Sequence, residues 1–442
     1  MTARILIMHS KKHHLASKSD AGRGGYWSAS LAAILIGAGA GSAVGAEGLL
    51  ERERLTGDWF GARDTLATKG LKFAMNYTAE YLANLTGGLK QGSTYNGMAH
   101  LSLNMDLQEL TGAWKGGSLY VSGMSLHGDG ASTSYTGDIQ GLSNIEGHSS
   151  ERLYSFHFRQ AFRDEMFAIK FGNLLADDDF SVSDHKAIFF NSSFGWPAFA
   201  SMNVINTGPA FFVAAPGVHL TVNPTENLYV QAGVYDGDSF DDPTGGTTIS
   251  ERGTHFELGN GQGVFSMYEV GYRASIAKSL GDYKLGGWHH SADFTDTITR
   301  LPVAGNYGVY FSADQMIYNE TPDGEQGLEA FFRAGFSPDD RSFADFSFDA
   351  GLHYAGLLPG RDEDAVGLGF AYVNVSDDVA TAEAIGGATI LSDYELAVEA
   401  VYDISLTPAL SLQPSLQWIR HPGGSRLLKD AWVFGLRANL TF

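Results

Sequence analysis

Carboxylates are concentrated at one point of the chain where a predicted strand ends. Asp177, Asp178 and Asp179 are three adjacent like charges, and water or an opposing cation must relieve their mutual repulsion. Carboxylates at such a position can accept hydrogen bonds from the hydroxyl groups of a solute. We therefore predict that the three aspartates either line a water-filled interior or form a solvated turn.

A second polar group lies shortly before them. Asn144, Glu146 and Arg152 supply an amide, a hydrogen-bond acceptor and a charged donor within a short stretch. They are predicted to contact a solute, or else to pair with one another and hold a loop.

Aromatic side chains accompany both polar groups. Phe194 and Trp196 precede Pro197, and their rings can stack on an apolar face of a solute or lie at a membrane interface, where tryptophan is favoured. Trp59 and Arg63 precede the first clear strand. Residues 47–70 are therefore predicted to be a short helical, amphipathic segment, in which Trp59 and Arg63 plug or line one mouth of the interior or act as a structural clasp.

Other reactive patterns are weak. The carboxylates that follow Asp236 are spaced as in a calcium loop, but the twelfth position is Thr247 where a glutamate is needed. We therefore favour a solvated outer loop there. His289 and His290 are adjacent on a predicted strand, so they face opposite ways and cannot share one metal. No hydrolase, Walker or dinucleotide motif is present, and we predict no catalytic site, no metal and no cofactor.

Composition and charge narrow the class of protein. The chain has 442 residues, 55 glycines, 12% aromatic residues and no cysteine, which excludes disulfides and thiol chemistry. Its formal net charge of -21 argues against nucleic acid as a partner, because binding of phosphate requires a basic surface. This composition is typical of a chain that turns often and anchors at a bilayer interface.

The N-terminus has the features of a secretory leader. Lys11, Lys12, Lys18 and Arg23 are followed by an uncharged stretch with an apolar run at residues 31–36 and small residues before Glu47. This order predicts a signal peptide over residues 1–46.

Apolar and polar residues alternate with a period of two through the rest of the chain. Residues 218–222 and 228–234 form one predicted hairpin, and residues 396–404 and 410–418 form another, with Glu395, Glu399, Asp403, Gln413 and Gln417 on the opposite face. Such polar faces are bathed in water either outside a soluble sandwich or inside a pore.

The last strand distinguishes these two possibilities. Apolar residues alternate from Trp432 to Phe442, the last residue, and an apolar terminal strand with a free edge invites aggregation unless a barrel closes on it. Strands in large barrels repeat roughly every 20 to 25 residues, so residues 47–442 accommodate about 16 to 18 strands around an aqueous channel. The polar segments 236–250 and 376–387 are predicted to be long outer loops.

Several short motifs of this chain are similar to motifs of a known protein family. Residues 55–63 read L-T-G-D-W-F-G-A-R, and with the segments below they resemble the carbohydrate-selective porin (OprB) family, whose members open with L-x-G-D-W-x-G-x-R. The resemblance covers nearly the whole chain after the leader and is most specific between residues 55 and 238. The further segments are S-N-I-E at 143–146, R-L-Y at 152–154, F-G at 171–172, A-D-D-D-F at 176–180, S-D at 183–184, N-S-S-F-G-W-P at 191–197, A-A-P-G at 214–217, G-V-Y-D-G-D at 233–238, L-Q-P-S-L-Q-W-I at 412–419 and P-G-G at 422–424.

This resemblance implies an all-β transmembrane antiparallel barrel of 16 strands in the outer membrane of a Gram-negative bacterium. It also implies passive diffusion of glucose and related small neutral sugars, with Asn144, Glu146, Arg152, Asp177, Asp178, Asp179, Phe194 and Trp196 as candidates for the constriction. Outer-membrane lipid and lipopolysaccharide are the expected partners, and the pore is expected to be either a monomer or a homotrimer. Ser415 departs from the family, which commonly has aspartate there, and residues 251–365 match the family only loosely. An outer-membrane barrel enzyme and a secreted sugar-binding β-sandwich are the alternatives.

Overall fold

The computed structural model describes residues 48, 50–240, 252–254, 256, 258, 261–276, 279–320 and 326–442. The predicted leader at residues 1–46 lies outside these residues. Residues 241–250, which include Thr247 and most of the first predicted outer loop, also lie outside them.

Sixteen antiparallel strands form one closed barrel, in which consecutive strands are neighbours and the last strand pairs with the first. Ala438 of the last strand lies opposite Ala79 of the first. The predicted all-β barrel of 16 strands is confirmed, and the soluble sandwich is wrong. The strands are β1 Leu71–Thr86, β2 Gly92–Asp106, β3 Gly117–Gly128, β4 Ser150–Phe162, β5 Phe167–Leu174, β6 Ala215–Thr225, β7 Leu228–Asp236, β8 Val264–Ile276, β9 Ser279–Thr295, β10 Pro302–Asn319, β11 Gly327–Phe336, β12 Ala344–Ala355, β13 Ala365–Val375, β14 Tyr394–Thr407, β15 Leu410–Arg420 and β16 Ala431–Thr441.

Side chains alternate between the outside of the barrel and its interior, the lumen. On β16, Trp432 and Phe434 are exposed, whereas Val433 and Arg437 are buried. On β14 the buried positions include Glu395 and Glu399. The polar faces therefore point inward and the apolar faces outward, as a barrel in a bilayer requires.

The connections differ between the two ends of the barrel. Short turns at residues 163–166 and 408–409 lie at the end where β1 begins and β16 ends, which we call the terminal rim. Residues 129–149, 175–214 and 376–393 connect strands at the opposite, far rim. The segment predicted as an outer loop at residues 376–387 is thus one of the far-rim connections.

Within the described ranges, four short α-helices lie outside the strands. They are α1 Ala62–Thr68, α2 Leu107–Thr111, α3 Ala198–Ser201 and α4 Asp377–Ile385. None of the helices in the described part of the chain has the length and apolar character needed to cross a membrane.

Two far-rim connections fold back into the lumen. We call residues 175–214 the long inner loop and residues 129–149 the short inner loop. Phe189, Phe190 and Phe194 of the long inner loop pack in one apolar cluster with wall residues such as Leu82 and Val401. Burial of these rings stabilises the packing of the long inner loop against the wall.

Glycines in the wall make room for these rings. A Cβ atom at Gly335 would lie 2.3 Å from the ring of Phe199, and one at Gly369 would lie 2.5 Å from the ring of Phe194. Any larger residue at these two positions would displace the long inner loop.

Candidate functional site

The long inner loop is held by a carboxylate that projects from β14 into the lumen. Glu399 accepts hydrogen bonds from the backbone N–H groups of Phe190 at 2.9 Å and Asn191 at 3.0 Å. The hydroxyl of Ser415 on β15 donates to the same carboxylate at 2.7 Å. A buried carboxylate needs such donors to offset its lost hydration, and the backbone of the loop supplies two of them.

The short inner loop is held in the same way. Glu395, also on β14, accepts from the backbone N–H groups of Ile139 at 3.0 Å, Gln140 at 3.0 Å and Gly423 at 2.8 Å. Two glutamates four residues apart on the same face of β14 thus hold both inner loops.

A buried arginine on β11 binds the other side of the long inner loop. Arg333 is fully buried and donates to the carbonyl oxygens of Ser181 at 3.1 Å, Ser193 at 2.6 Å and Gly195 at 3.0 Å. Its Nε donates to Asp349 of β12 at 2.7 Å. The fixed fork of the guanidinium suits this role, because one side chain can satisfy several carbonyl groups at once.

Asn144 is part of the inner structure. Its Oδ1 accepts from Arg437 of β16 at 2.8 Å, and its Nδ2 donates to the carbonyl of Phe189 at 3.1 Å. Arg437 also pairs with Glu80 of β1 at 2.6 Å and lies 3.9 Å from the ring centre of Phe190. Asn144 therefore joins the short inner loop to the seam of the barrel and to the long inner loop.

Glu146 and Arg152 have different partners from each other. Glu146 accepts from the backbone N–H of Ala131 at 3.1 Å, and burial, followed by the nearby Asp138, raises the pKa of Glu146 to about 7. Arg152 on β4 donates to the carbonyl of Phe212 at 3.0 Å and lies over that ring at 4.9 Å. In these contacts Arg152 holds the end of the long inner loop.

The three adjacent aspartates have different environments. Asp177 accepts from the backbone N–H of Phe211 at 2.9 Å, and burial together with Asp178 raises the pKa of Asp177. Asp178 is exposed. Asp179 pairs with Lys170 of β5 at 2.6 Å, so the cation that the charge repulsion requires is supplied by the wall.

Phe194 and Trp196 both lie in the long inner loop rather than at a lipid interface. Phe194 is 3% exposed and its ring centre is 4.4 Å from that of Phe189. Trp196 is 9% exposed and its Nε1 donates to the carbonyl of Thr207 at 2.8 Å. Since the surrounding rings cover them, the arrangement favours packing of the loop over stacking on a solute.

Trp59 and Arg63 lie just before β1, beside the residue that follows β16. Arg63, in α1, donates to the carbonyl of Phe442, the last residue, at 2.8 Å and lies 4.6 Å from the ring centre of Trp59. Whether Trp59 and Arg63 also plug or line a mouth of the lumen stays a prediction.

The histidine pair is arranged as expected. His290 is fully buried and its Nε2 lies 2.7 Å from the carbonyl oxygen of Gly237, whereas His289 is exposed on the outer face.

A polar cavity of about 300 Å³ lies beside the long inner loop, against strands β4 to β7. Its hydrogen-bonding groups lie close together: Nε2 of Gln231 donates to the carbonyl of Asp179 at 2.7 Å, and His219 lies 3.2 Å from the side-chain oxygen of Gln231. The lining residues are His157, Arg159, Ala168, Lys170, Asp179, His219, Thr221 and Gln231.

Most residues of this cavity were missed by the sequence analysis. His157 and Arg159 alternate with outward-facing residues on β4, as do Ala168 and Lys170 on β5. The period of two could have shown that they face the lumen, but not that these four strands surround a single cavity.

Comparison with known proteins identifies the relatives of this chain. Porin B of Pseudomonas aeruginosa is 26% identical over 428 residues, which cover 88% of this chain and 91% of that protein. The high-pH structure of OprB from Pseudomonas putida aligns with a TM-score of 0.81 at 23% identity, covering 90% of this chain and all of that one. The outer-membrane channel DcaP of Acinetobacter baumannii aligns with a TM-score of 0.51 at 10% identity over 84% of this chain and 97% of that one.

A family match covers most of the chain. Residues 90–442 match the family described as "Carbohydrate-selective porin, OprB family". The match includes residues 251–365, where the motifs are sparse, and it begins after the L-T-G-D-W-F-G-A-R segment. The chain belongs to the OprB family of carbohydrate-selective porins.

Proposed function

We propose that this porin carries glucose and related small neutral sugars by passive diffusion across the outer membrane of a Gram-negative bacterium. Family and fold point to a channel rather than to an enzyme. The observation that carries the proposal of a sugar path is the polar cavity between the wall and the long inner loop.

The groups around this cavity suit a neutral polyhydroxyl solute. Lys170 and Arg159 donate hydrogen bonds, Asp179 accepts them, and Gln231 does both. Lys170 and Asp179 neutralise each other at 2.6 Å, so the cavity presents donors and acceptors without a large excess of either charge.

Binding to these groups must be weak. A millimolar affinity, about -4 kcal/mol, concentrates the sugar in the channel and still lets it leave, which conduction requires. A sugar hydroxyl can replace one of the two hydrogen bonds from Lys170 to Asp179, at 2.7 and 2.6 Å, without exposing an unpaired charge.

The proposal can be tested with the purified porin in liposomes and planar bilayers. Swelling in glucose should be rapid, and glucose should reduce single-channel ion conductance reversibly. Lys170→Met should lower sugar flux several-fold relative to KCl conductance, because it removes the donor at the cavity. Lys115→Met is the matched control, since Lys115 forms an exposed ion pair with Asp164 at 2.9 Å outside the cavity.

Two outcomes would contradict the proposal. A protein that forms no channels would end the transport role. Equal ratios of sugar flux to ion conductance in Lys170→Met and Lys115→Met would remove the cavity from the sugar path while leaving the channel itself intact.

Assembly and membrane contacts are part of the same proposal. We expect the porin to be embedded among outer-membrane lipid and lipopolysaccharide, either as a monomer or as a homotrimer. Migration of the unheated protein on a detergent gel, with and without chemical cross-linking, would distinguish a trimer from a monomer.

A further inference from the structure

Two histidines and a glutamate meet where the long inner loop contacts the wall. His185 belongs to a single turn of 3-10 helix at Asp184–Lys186 in that loop, whereas Glu329 and His353 lie opposite each other on β11 and β12. The Nδ1 atoms of His185 and His353 lie 2.6 Å and 3.0 Å from the same Oε2 of Glu329.

The three side chains are accessible from the lumen. Their relative side-chain exposures are 24% for His185, 14% for Glu329 and 18% for His353. Glu329 is the third residue of β11 and His353 is two residues from the end of β12, so the cluster lies in the part of the lumen near the terminal rim. An ion can therefore reach it from the aqueous channel.

The donor atoms are those of a transition-metal site. One atom from each of the three residues lies within 4.8 Å of the others. Two imidazole nitrogens with one carboxylate oxygen suit Zn²⁺, Ni²⁺ or Cu²⁺, whereas Ca²⁺ and Mg²⁺ prefer oxygen alone. Among the described residues, the ion-pairing partners of Glu329 are these two histidines.

We propose that His185, Glu329 and His353 bind a divalent transition-metal cation, with Zn²⁺ as the representative ion. Three ligands leave a further position for water or a solute in the lumen. The ligating forms are a ring nitrogen without a proton and an ionised carboxylate, so contacts with the ion would replace the hydrogen bonds between the imidazoles and Glu329.

The position of His185 gives the ion a structural effect. His185 adjoins Lys186, whose Nζ lies 3.3 Å from Asp349, the wall partner of Arg333. A bound ion would join this part of the long inner loop to two wall strands. We therefore expect the bound ion to restrict movement of the long inner loop and to lower the ion conductance of the channel.

The test uses the full-length folded porin and ZnCl₂ alone. Equilibrium dialysis should show one high-affinity Zn²⁺ per chain, and Zn²⁺ in the micromolar range should reduce single-channel conductance, with recovery on addition of EDTA. His185→Gln and His353→Gln should each raise the Kd for Zn²⁺ at least about tenfold, since even loss of an outer-shell partner of a metal has that effect. Mg²⁺ and Ca²⁺ at the same concentration should leave conductance unchanged.

A second histidine provides the control. His100 on β2 packs edge-on against Tyr154 at 5.8 Å, away from the cluster, and His100→Gln should bind Zn²⁺ as the native protein does. Heat-modifiable migration on a gel verifies that each variant is folded. If a histidine variant does not fold, Glu329→Gln is measured in its place.

Either of two results would overturn the site: no Zn²⁺ bound in the micromolar range, or equal binding in His100→Gln and in both cluster variants. Glucose swelling without metal is measured separately, so failure of the metal site and failure of the sugar channel are distinguishable.

Discussion

Nε of Arg333 donates to Oδ2 of Asp349 at 2.7 Å, and both side chains are buried on the lumen face of the wall. Because the other nitrogens of Arg333 bind carbonyl groups of the long inner loop, this ion pair connects the wall of the barrel to that loop. This guanidinium and its carboxylate partner thus hold the loop, together with Glu399 and Arg152.

Arg333→Met should destabilise the folded porin strongly. Removing one partner of a buried pair costs about 3–5 kcal/mol, and the freed loop should also give larger and noisier single-channel currents. Arg341→Met is the control, because Arg341 pairs with the more accessible Asp340 at 2.8 Å and such pairs contribute about 0–1 kcal/mol. Urea unfolding followed by tryptophan fluorescence measures both variants. Equal losses of stability would show that the buried pair has no special role.

Ser415 should tolerate alanine better than aspartate. Ser415→Ala removes the hydrogen bond to Glu399 and should cost about 1 kcal/mol. Ser415→Asp places a second carboxylate beside Glu399, so it should cost more and loosen the long inner loop at Phe190 and Asn191. Unfolding midpoints and channel noise test the order. A native-like Ser415→Asp protein would contradict it.

Glu146 should make stability depend on pH. Burial raises the pKa of Glu146 to about 7 in the folded porin, whereas the ordinary pKa expected in the unfolded chain is 4.5. The folded state therefore binds more protons in this window, and stability declines as pH rises through it.

Glu146→Gln should weaken that decline, as measured by unfolding midpoints between about pH 4.5 and about pH 7. Glu151→Gln, at an exposed position of β4, should keep the native slope. A native slope in Glu146→Gln would show that this carboxyl has no part in the effect.

Single cysteines can map the two faces of the wall, because the chain has none of its own. Leu436→Cys should react with a lipid-soluble reagent, since it continues the outward face of Trp432 and Phe434 on β16. Asn439→Cys, in the inward phase with Arg437, should react with a small water-soluble maleimide instead. The reverse labelling would mean that the lipid-facing and lumen-facing sides of β16 are inverted, and the proposal of a channel would have to be abandoned.

Processing of the N-terminus is a further prediction. If residues 1–46 are a signal peptide, the protein extracted from outer membranes should begin at Glu47. N-terminal sequencing measures this directly. A retained leader would indicate a membrane anchor instead.

The wall of the barrel was predictable because the pattern that specifies each strand lies within a short stretch of sequence. Each strand alternates with a period of two, and the apolar strand from Trp432 to Phe442 needs a partner that only closure supplies. The inward positions of Glu395, Glu399 and Gln417 follow from the same period and are confirmed. Strand bounds shifted slightly: β6 continues to Thr225, beyond the point where the alternation was expected to stop.

The interior was less predictable. Asp177, Asp178 and Asp179 are adjacent in the chain, yet one binds a backbone N–H, one is exposed and one pairs with Lys170. Phe194 and Trp196 belong to the inner loop, but the packing that covers their rings comes from distant residues.

The amino-acid sequence by itself determined a barrel wall, its inward and outward faces and its family. Tertiary structure alone decided what fills the lumen, because the contacts there join residues far apart in the chain: Arg333 is 140 positions from Ser193, and His185 meets a glutamate and a histidine from two wall strands. Local periodicity carries no record of such pairings. These contacts form only when the barrel closes and the inward-facing side chains of its strands surround the same loops.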